Sequence, residues 1–138
     1  MPQQDIYHHV VKNALIKDGW TITHDPLTLT VGRRDLYVDF GAEQPIAAEQ
    51  EGRKIAVEVK SFIGPSVVYD LEQALGQYHV YRLILAQDDP QRHLYLAIAE
   101  RTYAGIFCEP LGQLILAERS MRMMVFDPSQ EAIVQWIT

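Results

Sequence analysis

The sequence has very little cysteine and no long apolar run. Cys108 is the single cysteine among 138 residues, so an intramolecular disulfide is excluded and a reducing compartment is compatible with the chain. Nothing near Cys108 suggests an activated thiolate, so we expect it to be buried. Asp5, His8 and Lys12 interrupt the apolar residues that follow Met1, and no apolar stretch approaches the ~18 residues of a membrane span. We therefore expect a cytoplasmic protein without a signal peptide or a membrane segment.

Basic side chains are also scarce. The chain has 12 Lys and Arg residues against 18 Asp and Glu residues, a net charge of −6. Proteins that hold many phosphates usually have a basic surface, because counterion release dominates affinity for nucleic acids. The charge therefore argues against strong non-specific DNA binding by the isolated chain. The nearest approach to a basic face, and hence the candidate DNA-binding set, is Arg33, Arg34, Arg53 and Lys54.

The remaining composition is that of an ordinary globular protein, with 48% hydrophobic and 22% charged residues. No repeat or linker divides the chain, so we expect residues 1–138 to form a single domain. The order of helix-period and strand-period segments predicts an α/β (α+β) fold whose first strands are mainly antiparallel. Helices are expected at 5–18, from 64–66 to about 85, and at 112–119, and strands at 20–23, 27–31, 35–40, 46–49, 54–62, 94–99, 122–126 and 132–136.

The strand over residues 54–62 carries the tripeptide Glu58-Val59-Lys60. An E-x-K tripeptide is frequent by chance, but its surroundings here are unusual. Ile55, Val57 and Val59 point to one side of the strand, so Glu58 and Lys60 point together to the other. A carboxylate and an ammonium inside a small domain are costly unless they are paired or bind a ligand. A salt bridge on a solvated sheet face is the alternative interpretation.

Asp39 is the candidate partner of Glu58. It lies on an earlier strand, on the face away from Leu36 and Val38. Two carboxylates on adjacent strands suit Mg²⁺, which prefers oxygen ligands and keeps several waters. Asp35 and Glu43 share the strand face of Asp39, and Glu43 would lie nearer Glu58 in a hairpin without a bulge. Glu43 therefore remains a candidate additional ligand.

The helix expected after the strand at 54–62 adds a polar stripe. Asp70, Gln73, Gln77 and Tyr81 recur at helical spacing beside the apolar stripe. The amide of Gln77 and the phenol of Tyr81 are candidates for contact with a phosphate or with the waters of a metal ion. An exposed Gln77 and a core Tyr81 are the alternatives.

These residues resemble a known family. Asp39 with Glu58-Val59-Lys60 is similar to the core of the PD-(D/E)xK nucleases, and Gln77-x-x-x-Tyr81 is similar to the helix motif of their RecB-like branch. More narrowly, the chain resembles the XisH family throughout its length. That resemblance rests on Asp5-Ile-Tyr-His8, Lys17-Asp-Gly-Trp20, Gly41-Ala-Glu43, Ile55-Ala-Val-Glu58-Val-Lys60-Ser-Phe62, Ala74-Leu-Gly-Gln77-Tyr, Asp127-Pro128 and Ile133-Val-Gln-Trp136.

The resemblance implies a restriction-endonuclease-like mixed sheet flanked by helices. It implies catalytic Asp39, Glu58, Lys60 and Gln77, with Mg²⁺ or Mn²⁺ held by Asp39 and Glu58 and with DNA as the substrate. It also implies an excision controlling factor in programmed DNA-element excision in cyanobacteria, acting with a XisI-type partner and a recombinase. A homodimer is a further expectation, and Val134 and Trp136 are candidates for a protein contact.

Two features depart from the nuclease pattern. Val38 precedes Asp39 where the superfamily's name has proline. The first helix offers Asp5, His8 and His9 where other members often have a glutamate, so His8 is a candidate additional site residue, although a solvated His8-His9 pair is the more common arrangement. Two function classes follow: a metal-dependent endonuclease, and a non-catalytic regulator that keeps the fold to bind a partner or DNA. The negative charge favours the second, and the joint presence of the four catalytic candidates favours the first.

Overall fold

The structure is a computed structural model that describes residues 4–44, 52–118 and 121–138. The chain begins with a helix, and five successive strands follow before the second helix. The helices are α1 (His8–Lys17), α2 (Val67–Asp88), α3 (Glu100–Ala104) and α4 (Pro110–Ala117), with a 3-10 turn at Ile106–Cys108. The strands are β1 (Thr21–His24), β2 (Leu27–Val31), β3 (Arg34–Val38), β4 (Phe40–Gln44), β5 (Arg53–Val59), β6 (Arg92–Ala99), β7 (Met123–Asp127) and β8 (Ala132–Ile137).

Six strands form a mixed sheet in the order β1-β4-β5-β6-β7-β8. The strands β5, β6 and β7 are parallel, and the other neighbouring pairs are antiparallel. Parallel neighbours need a crossover connection, which α2 supplies between β5 and β6. The strands β2 and β3 form a separate antiparallel hairpin. The predicted mixed α+β fold with an antiparallel start is therefore confirmed.

Both faces of the central strands are covered. Ile55, Val57 and Val59 pack with Val11 and Leu15 of α1 on one face. On the other face the hairpin β2–β3 and the helix α2 share a core cluster that includes Ala56 of β5. Glu58 points toward this second face, as its position in the alternation predicted, and is buried. The interpretation of Glu58 as part of a solvated sheet face is thus wrong, because the helix and the hairpin cover that face.

The strand predicted at residues 35–40 is interrupted at Asp39. Its first part, β3, pairs with β2, whereas its continuation, β4, pairs with β1 and β5. The break has a local cause: the backbone N–H of Asp39 donates to the side chain of Glu58 and not to a neighbouring strand. The strand predicted at 46–49 lies outside the described residues. The described partner of β5 on this side is β4, with Phe40 opposite Val57.

The helix boundaries follow local capping chemistry. The Ser66 side chain accepts a hydrogen bond from the backbone N–H of Tyr69 at 3.1 Å, which caps α2 at its predicted start. Cys108 is exposed, so its predicted burial is wrong: Ile106 and Phe107 take the buried positions of the short turn that Cys108 ends. In the described part of the chain, no helix has the length and apolarity needed to cross a membrane.

The packing of α4 against the 3-10 turn generates a stability prediction. A Cβ atom on Gly112 would lie 2.1 Å from the carbonyl oxygen of Ile106 and 2.5 Å from Cα of Phe107. Both are backbone atoms, so relief requires movement of α4, and Gly112→Ala should lower the free energy of unfolding by about 2–3 kcal/mol. Gly76→Ala is the matched control, because a Cβ there meets no atom within 4 Å. This control, in α2, should raise stability by up to ~1 kcal/mol. Urea unfolding measures both, and equal effects would contradict the packing argument.

Candidate active site

Asp39 and Glu58 are held by hydrogen bonds that cross between their two strands. The backbone N–H of Asp39 donates to Oε1 of Glu58 at 3.2 Å. In return, the backbone N–H of Val59 donates to Oδ2 of Asp39 at 2.8 Å. Each carboxylate therefore has one oxygen bound to the other residue's strand. Of the remaining oxygens, Oδ1 of Asp39 lies 3.6 Å from Nδ1 of His8, and Oε2 of Glu58 lies 3.8 Å from Nζ of Lys60. Both distances are longer than a hydrogen bond.

Lys60 extends the site at the end of β5. Its Nζ lies 3.8 Å from Oε2 of Glu58, which is an ion-pair distance and longer than a hydrogen bond. The backbone N–H of Lys60 donates to the carbonyl of Ala97 at 3.1 Å, so the position of the residue continues the pairing with β6. The side chain is one quarter exposed. The ammonium thus stands at the entrance of the site and can approach either the carboxylates or a bound ligand.

A cleft of about 270 Å³ opens above these groups. The helix α2 contributes Gln77 and Tyr81 to its wall, and the hairpin contributes Tyr37. The Oε1 atom of Gln77 is buried and has no hydrogen-bond partner among the described residues. A buried amide oxygen without a partner costs free energy unless a ligand or water satisfies it. The amide of Gln77 is therefore available to a ligand or a water that enters the cleft.

The predicted polar stripe of α2 divides between two depressions. Gln77 and Tyr81 reach the cleft, whereas Asp70 and Gln73 line a neighbouring depression. Asp70 accepts a hydrogen bond from the backbone N–H of Gly64 at 2.9 Å, which fixes the loop before α2. The first half of the stripe, Asp70 and Gln73, therefore does not line the cleft that contains the two carboxylates.

His8 is buried next to the carboxylate pair, so a solvated His8-His9 pair is not what forms. Its Nε2 lies 2.8 Å from Oδ1 of Asp25, and its Nδ1 lies 3.6 Å from Oδ1 of Asp39. The second distance is too long for a hydrogen bond, so the buried Nδ1 has no partner within the described part of the chain. Lys12 holds the other oxygen of Asp25 at 3.0 Å. The helix α1 thus supplies the ring of His8. The carboxylate of Asp25 fixes the orientation of this ring from the side opposite Asp39.

Sequence reasoning missed Asp25 and noted Asp5 only as one polar residue near the first helix. Asp25 looked like a turn residue before Pro26, and only the tertiary contact with His8 reveals its role. Asp5 also borders the cleft. Its two oxygens accept hydrogen bonds from the backbone N–H groups of Tyr7 at 2.9 Å and of Ser61 at 3.0 Å. Asp5 therefore ties the start of α1 to the segment that follows Lys60.

Burial and mutual repulsion govern the charge of the pair. Burial, and then the charge of Asp39, raise the pKa of Glu58 well above its ordinary value. Burial also raises the pKa of Asp39, against the opposing effect of the Val59 N–H. Burial, followed by the negative charges of Glu58 and Asp39, raises the pKa of Tyr81 to about 12. The site favours one fewer negative charge than two free carboxylates would carry, and it would accept a cation readily.

Comparison with known proteins assigns the chain to a family. The family model described as XisH protein matches residues 1–134. The chain belongs to the XisH family. The crystal structure of a XisH family protein from Nostoc punctiforme is similar to it, with 44% identity, a TM-score of 0.87, and coverage of 97% of this chain and 100% of that one. An fdxN element excision controlling factor protein from Anabaena variabilis has 44% identity and a TM-score of 0.86, with 98% and 100% covered. No curated protein matches the chain.

The donor atoms of this XisH-family chain fit a small divalent cation. Among the described residues, no three His, Cys, Asp or Glu side chains are arranged as a metal site. Mg²⁺, however, is usually held by one or two carboxylates and completes its shell with water or substrate phosphate. Asp39 and Glu58 both line the cleft with their carboxylates. Gln77 adds a buried amide oxygen that has no partner among the described residues. This oxygen-only set suits Mg²⁺ or Mn²⁺ better than a softer metal.

Several predicted residues lie outside the cleft. Glu43 is exposed and pairs with Lys54, far along β5 from Glu58, because β4 and β5 run antiparallel. Asp35 belongs to the separate hairpin, where it accepts a hydrogen bond from Thr30 at 2.7 Å. Neither residue is therefore positioned as a ligand beside Glu58.

The predicted basic set is dispersed. Arg33 and Arg34 lie at the exposed turn of the hairpin. Lys54 is paired with Asp89 at 2.9 Å, and the guanidinium of Arg53 lies 5.4 Å from the centre of the Trp20 ring. These residues belong to different elements and have different local partners.

The raised pKa of Glu58 has a measurable effect on stability. A carboxyl whose pKa is higher in the folded than in the unfolded state makes folding less favourable as pH rises from the unfolded value, near 4.3, through the folded value. Glu58→Gln removes this charge but keeps the oxygen that accepts the Asp39 N–H. We expect the variant, without metal, to have a Tm several degrees above wild type at pH 8 and a smaller advantage at pH 5. Glu72→Gln, an exposed change on α2, is the matched control. Thermal unfolding across this pH range measures the effect, and an advantage that does not grow with pH would contradict it.

Proposed function

We propose that this XisH-family chain is a metal-dependent DNA endonuclease of the PD-(D/E)xK type. The observation that carries the proposal is the convergence of the buried carboxylate of Glu58 with the half-buried carboxylate of Asp39. Their joint ionisation is unfavourable, and the ammonium of Lys60 lies beside them. A structural ion pair would not need a second carboxylate in the same buried place. A site that binds a cation and a phosphate does need such an arrangement.

The proposed roles follow from the groups present. Asp39 and Glu58 would hold Mg²⁺ or Mn²⁺, with Gln77 beside them. The metal, when bound, supplies a Lewis acid and lowers the pKa of a coordinated water. The ammonium of Lys60 orients an attacking water and offsets the negative charge that develops on a phosphodiester. Tyr81 keeps its proton near neutral pH, since its pKa is about 12, and can donate a hydrogen bond to a phosphate oxygen.

His8 has a supporting role in this proposal. Asp25 fixes its ring through Nε2 at 2.8 Å, which leaves Nδ1 directed toward Asp39. A ring held in this way limits the movement of Asp39 and excludes bulk water from the back of the site. The arrangement thus pre-organises the carboxylates before a substrate arrives.

The biological role that we propose comes from the family. A solved relative is described as an fdxN element excision controlling factor protein. We infer that this chain is likewise an excision controlling factor, accessory to programmed excision of a DNA element. Cutting or nicking of DNA is a reaction that excision by a recombinase can use. We propose that a XisI-type protein and a recombinase are its partners, and that it acts in the cytoplasm as a single domain.

A second function also has support. The net charge of −6 is unfavourable for a protein that must hold DNA by itself. A non-catalytic regulator that keeps the nuclease fold, and binds a XisI-type partner or DNA, would be compatible with this charge. The two functions differ in what happens to DNA that is supplied with a divalent metal.

Cleavage assays separate these functions. We expect wild type to cut DNA only with Mg²⁺ or Mn²⁺, and Glu58→Gln or Lys60→Ala to lower the rate at least about 100-fold, because each removes a group that acts in the transition state. Mg²⁺ should also raise the Tm of wild type but not of Glu58→Gln. Glu43→Gln, outside the cleft, is the control and should cut normally. Cutting at wild-type rates by both site variants would refute the site, and absence of cutting on duplex, single-stranded and branched DNA would favour the regulator.

A partner should supply the basic surface for DNA that this acidic chain lacks. We expect the isolated chain to bind DNA weakly at physiological salt, and a XisI-type protein or a second copy to strengthen binding. The strand β8 is an edge of the sheet and exposes Val134, whereas Trp136 packs against Tyr95 at 5.0 Å. Val134→Asp should therefore weaken association, and Val31→Asp is a control of similar exposure in the hairpin. Mass in solution and DNA affinity across a salt series test this. A strict monomer that binds DNA tightly without help would contradict it.

A further inference from the structure

A concentration of positive charge lies at the opposite end of the parallel strands from Glu58. A cavity of about 230 Å³ there is lined by three arginines and a histidine, among other residues. Two of the four begin β6, one precedes β7, and one belongs to the second half of α2. We call these four residues the arginine pocket: Arg82, Arg92, His93 and Arg122.

The side chain of Arg92 is buried and fixed within this pocket. Its side chain is only 6% exposed. The Nη1 atom donates to the carbonyl of Ile55 at 3.0 Å, and Nε donates to Asp89 at 3.2 Å. Asp89 also contacts Lys54 at 2.9 Å. The guanidinium is therefore held in one orientation, which reduces the entropy that a ligand contact would cost.

The other two arginines, Arg82 and Arg122, line the same cavity, near the hydroxyl of Tyr78. This hydroxyl donates to the carbonyl of Leu94 at 3.0 Å and accepts from the backbone N–H of Arg122 at 2.9 Å. Burial raises the pKa of this phenol, and the positive charges of Arg122 and Arg82 oppose that rise. The guanidinium of Arg82 also lies 3.1 Å from Nδ1 of His79. Both arginines therefore approach one point between α2, β6 and β7.

The charge of the pocket is not balanced by the carboxylates of the described residues. Asp89 is the acid that pairs there, and it is shared between Lys54 and Arg92. Within the described ranges, no carboxylate forms an ion pair with Arg82 or Arg122. Burial and the charges of Arg122 and Arg53 lower the pKa of His93. A chain with an excess of acids thus places in a single cavity two arginines, Arg82 and Arg122, that have no carboxylate partner among the described residues.

We propose that the arginine pocket binds backbone phosphates of nucleic acid on the same duplex whose scissile phosphate enters the cleft, a proposal that rests on the proposed function. Arginine is suited to this because its fork of donors matches the oxygens of a phosphate. Lys54 lies opposite Arg92 in the sheet. It is four residues from Glu58 along β5, or about 13 Å at the usual rise. The major groove of DNA is about 12 Å wide, so phosphates on its two sides can reach both places.

The test measures binding and not cleavage. The Glu58→Gln protein, which should not cut, is titrated with a fluorescent duplex in several salt concentrations. We expect Arg82→Gln and Arg122→Gln in that background each to weaken binding about fivefold and to reduce the slope of log K against log salt by about one. Lys17→Gln is the control, since it removes one charge at the end of α1, on the other face of the sheet. In NMR titrations, DNA should raise the pKa of His93, because a phosphate offsets the neighbouring guanidinium charges.

The results of these measurements distinguish failure of the arginine pocket from failure of the nuclease proposal. Arginine variants that match Lys17→Gln in affinity and slope would overturn the proposal, as would a His93 resonance that responds to poly-glutamate but not to DNA. In the second case the pocket would bind an acidic protein. Failure of the catalytic proposal is distinguishable: a wild type that never cuts, with arginine variants that lose affinity, would refute the nuclease and support the pocket. A wild type that cuts, with arginine variants that bind normally, would refute only the pocket.

Discussion

The site depends on an exchange of hydrogen bonds between two acidic residues and the strands that carry them. Asp39 receives the N–H of Val59, and Glu58 receives the N–H of Asp39. The exchange interrupts the strand that contains Asp39, and it also separates the hairpin β2–β3 from the main sheet. The hairpin can then fold over the face that bears Glu58. One local arrangement thus creates both the carboxylate pair and the wall that buries Glu58.

The central features of this arrangement were accessible from sequence because they depend on strand periodicity. The apolar alternation of Ile55, Val57 and Val59 requires Glu58 to point the other way, whatever the rest of the fold. The helical stripe likewise placed Gln77 and Tyr81 on one flank of α2. Both inferences use side-chain direction within a single element, and direction is the most robust property that a short pattern carries.

Features that require register or tertiary contact were not accessible. The choice between Glu43 and Asp39 turned on where β3 ends and on how β4 pairs with β5, which periodicity does not specify. The burial of His8 depends on Asp25, a residue from a distant turn. The arginine pocket was missed because its three arginines are at least ten residues apart in sequence. The adjacent pair Arg33-Arg34, by contrast, looked like a patch but lies at a hairpin turn.

The hydroxyl of Tyr78 links these two regions. It bonds to main-chain groups of Leu94 and Arg122, so it fixes the rotation of α2 about its own axis relative to β6 and β7. Gln77 and Arg82 belong to the same helix, although they project from opposite flanks. A rotation of α2 about its axis would therefore move both side chains at once. The phenol therefore fixes the rotation of α2 about its axis. That rotation in turn sets the spacing between the acidic cleft, which Gln77 lines, and the arginine pocket. A phenylalanine at this position would conserve the volume of the core but would leave the phase to packing alone.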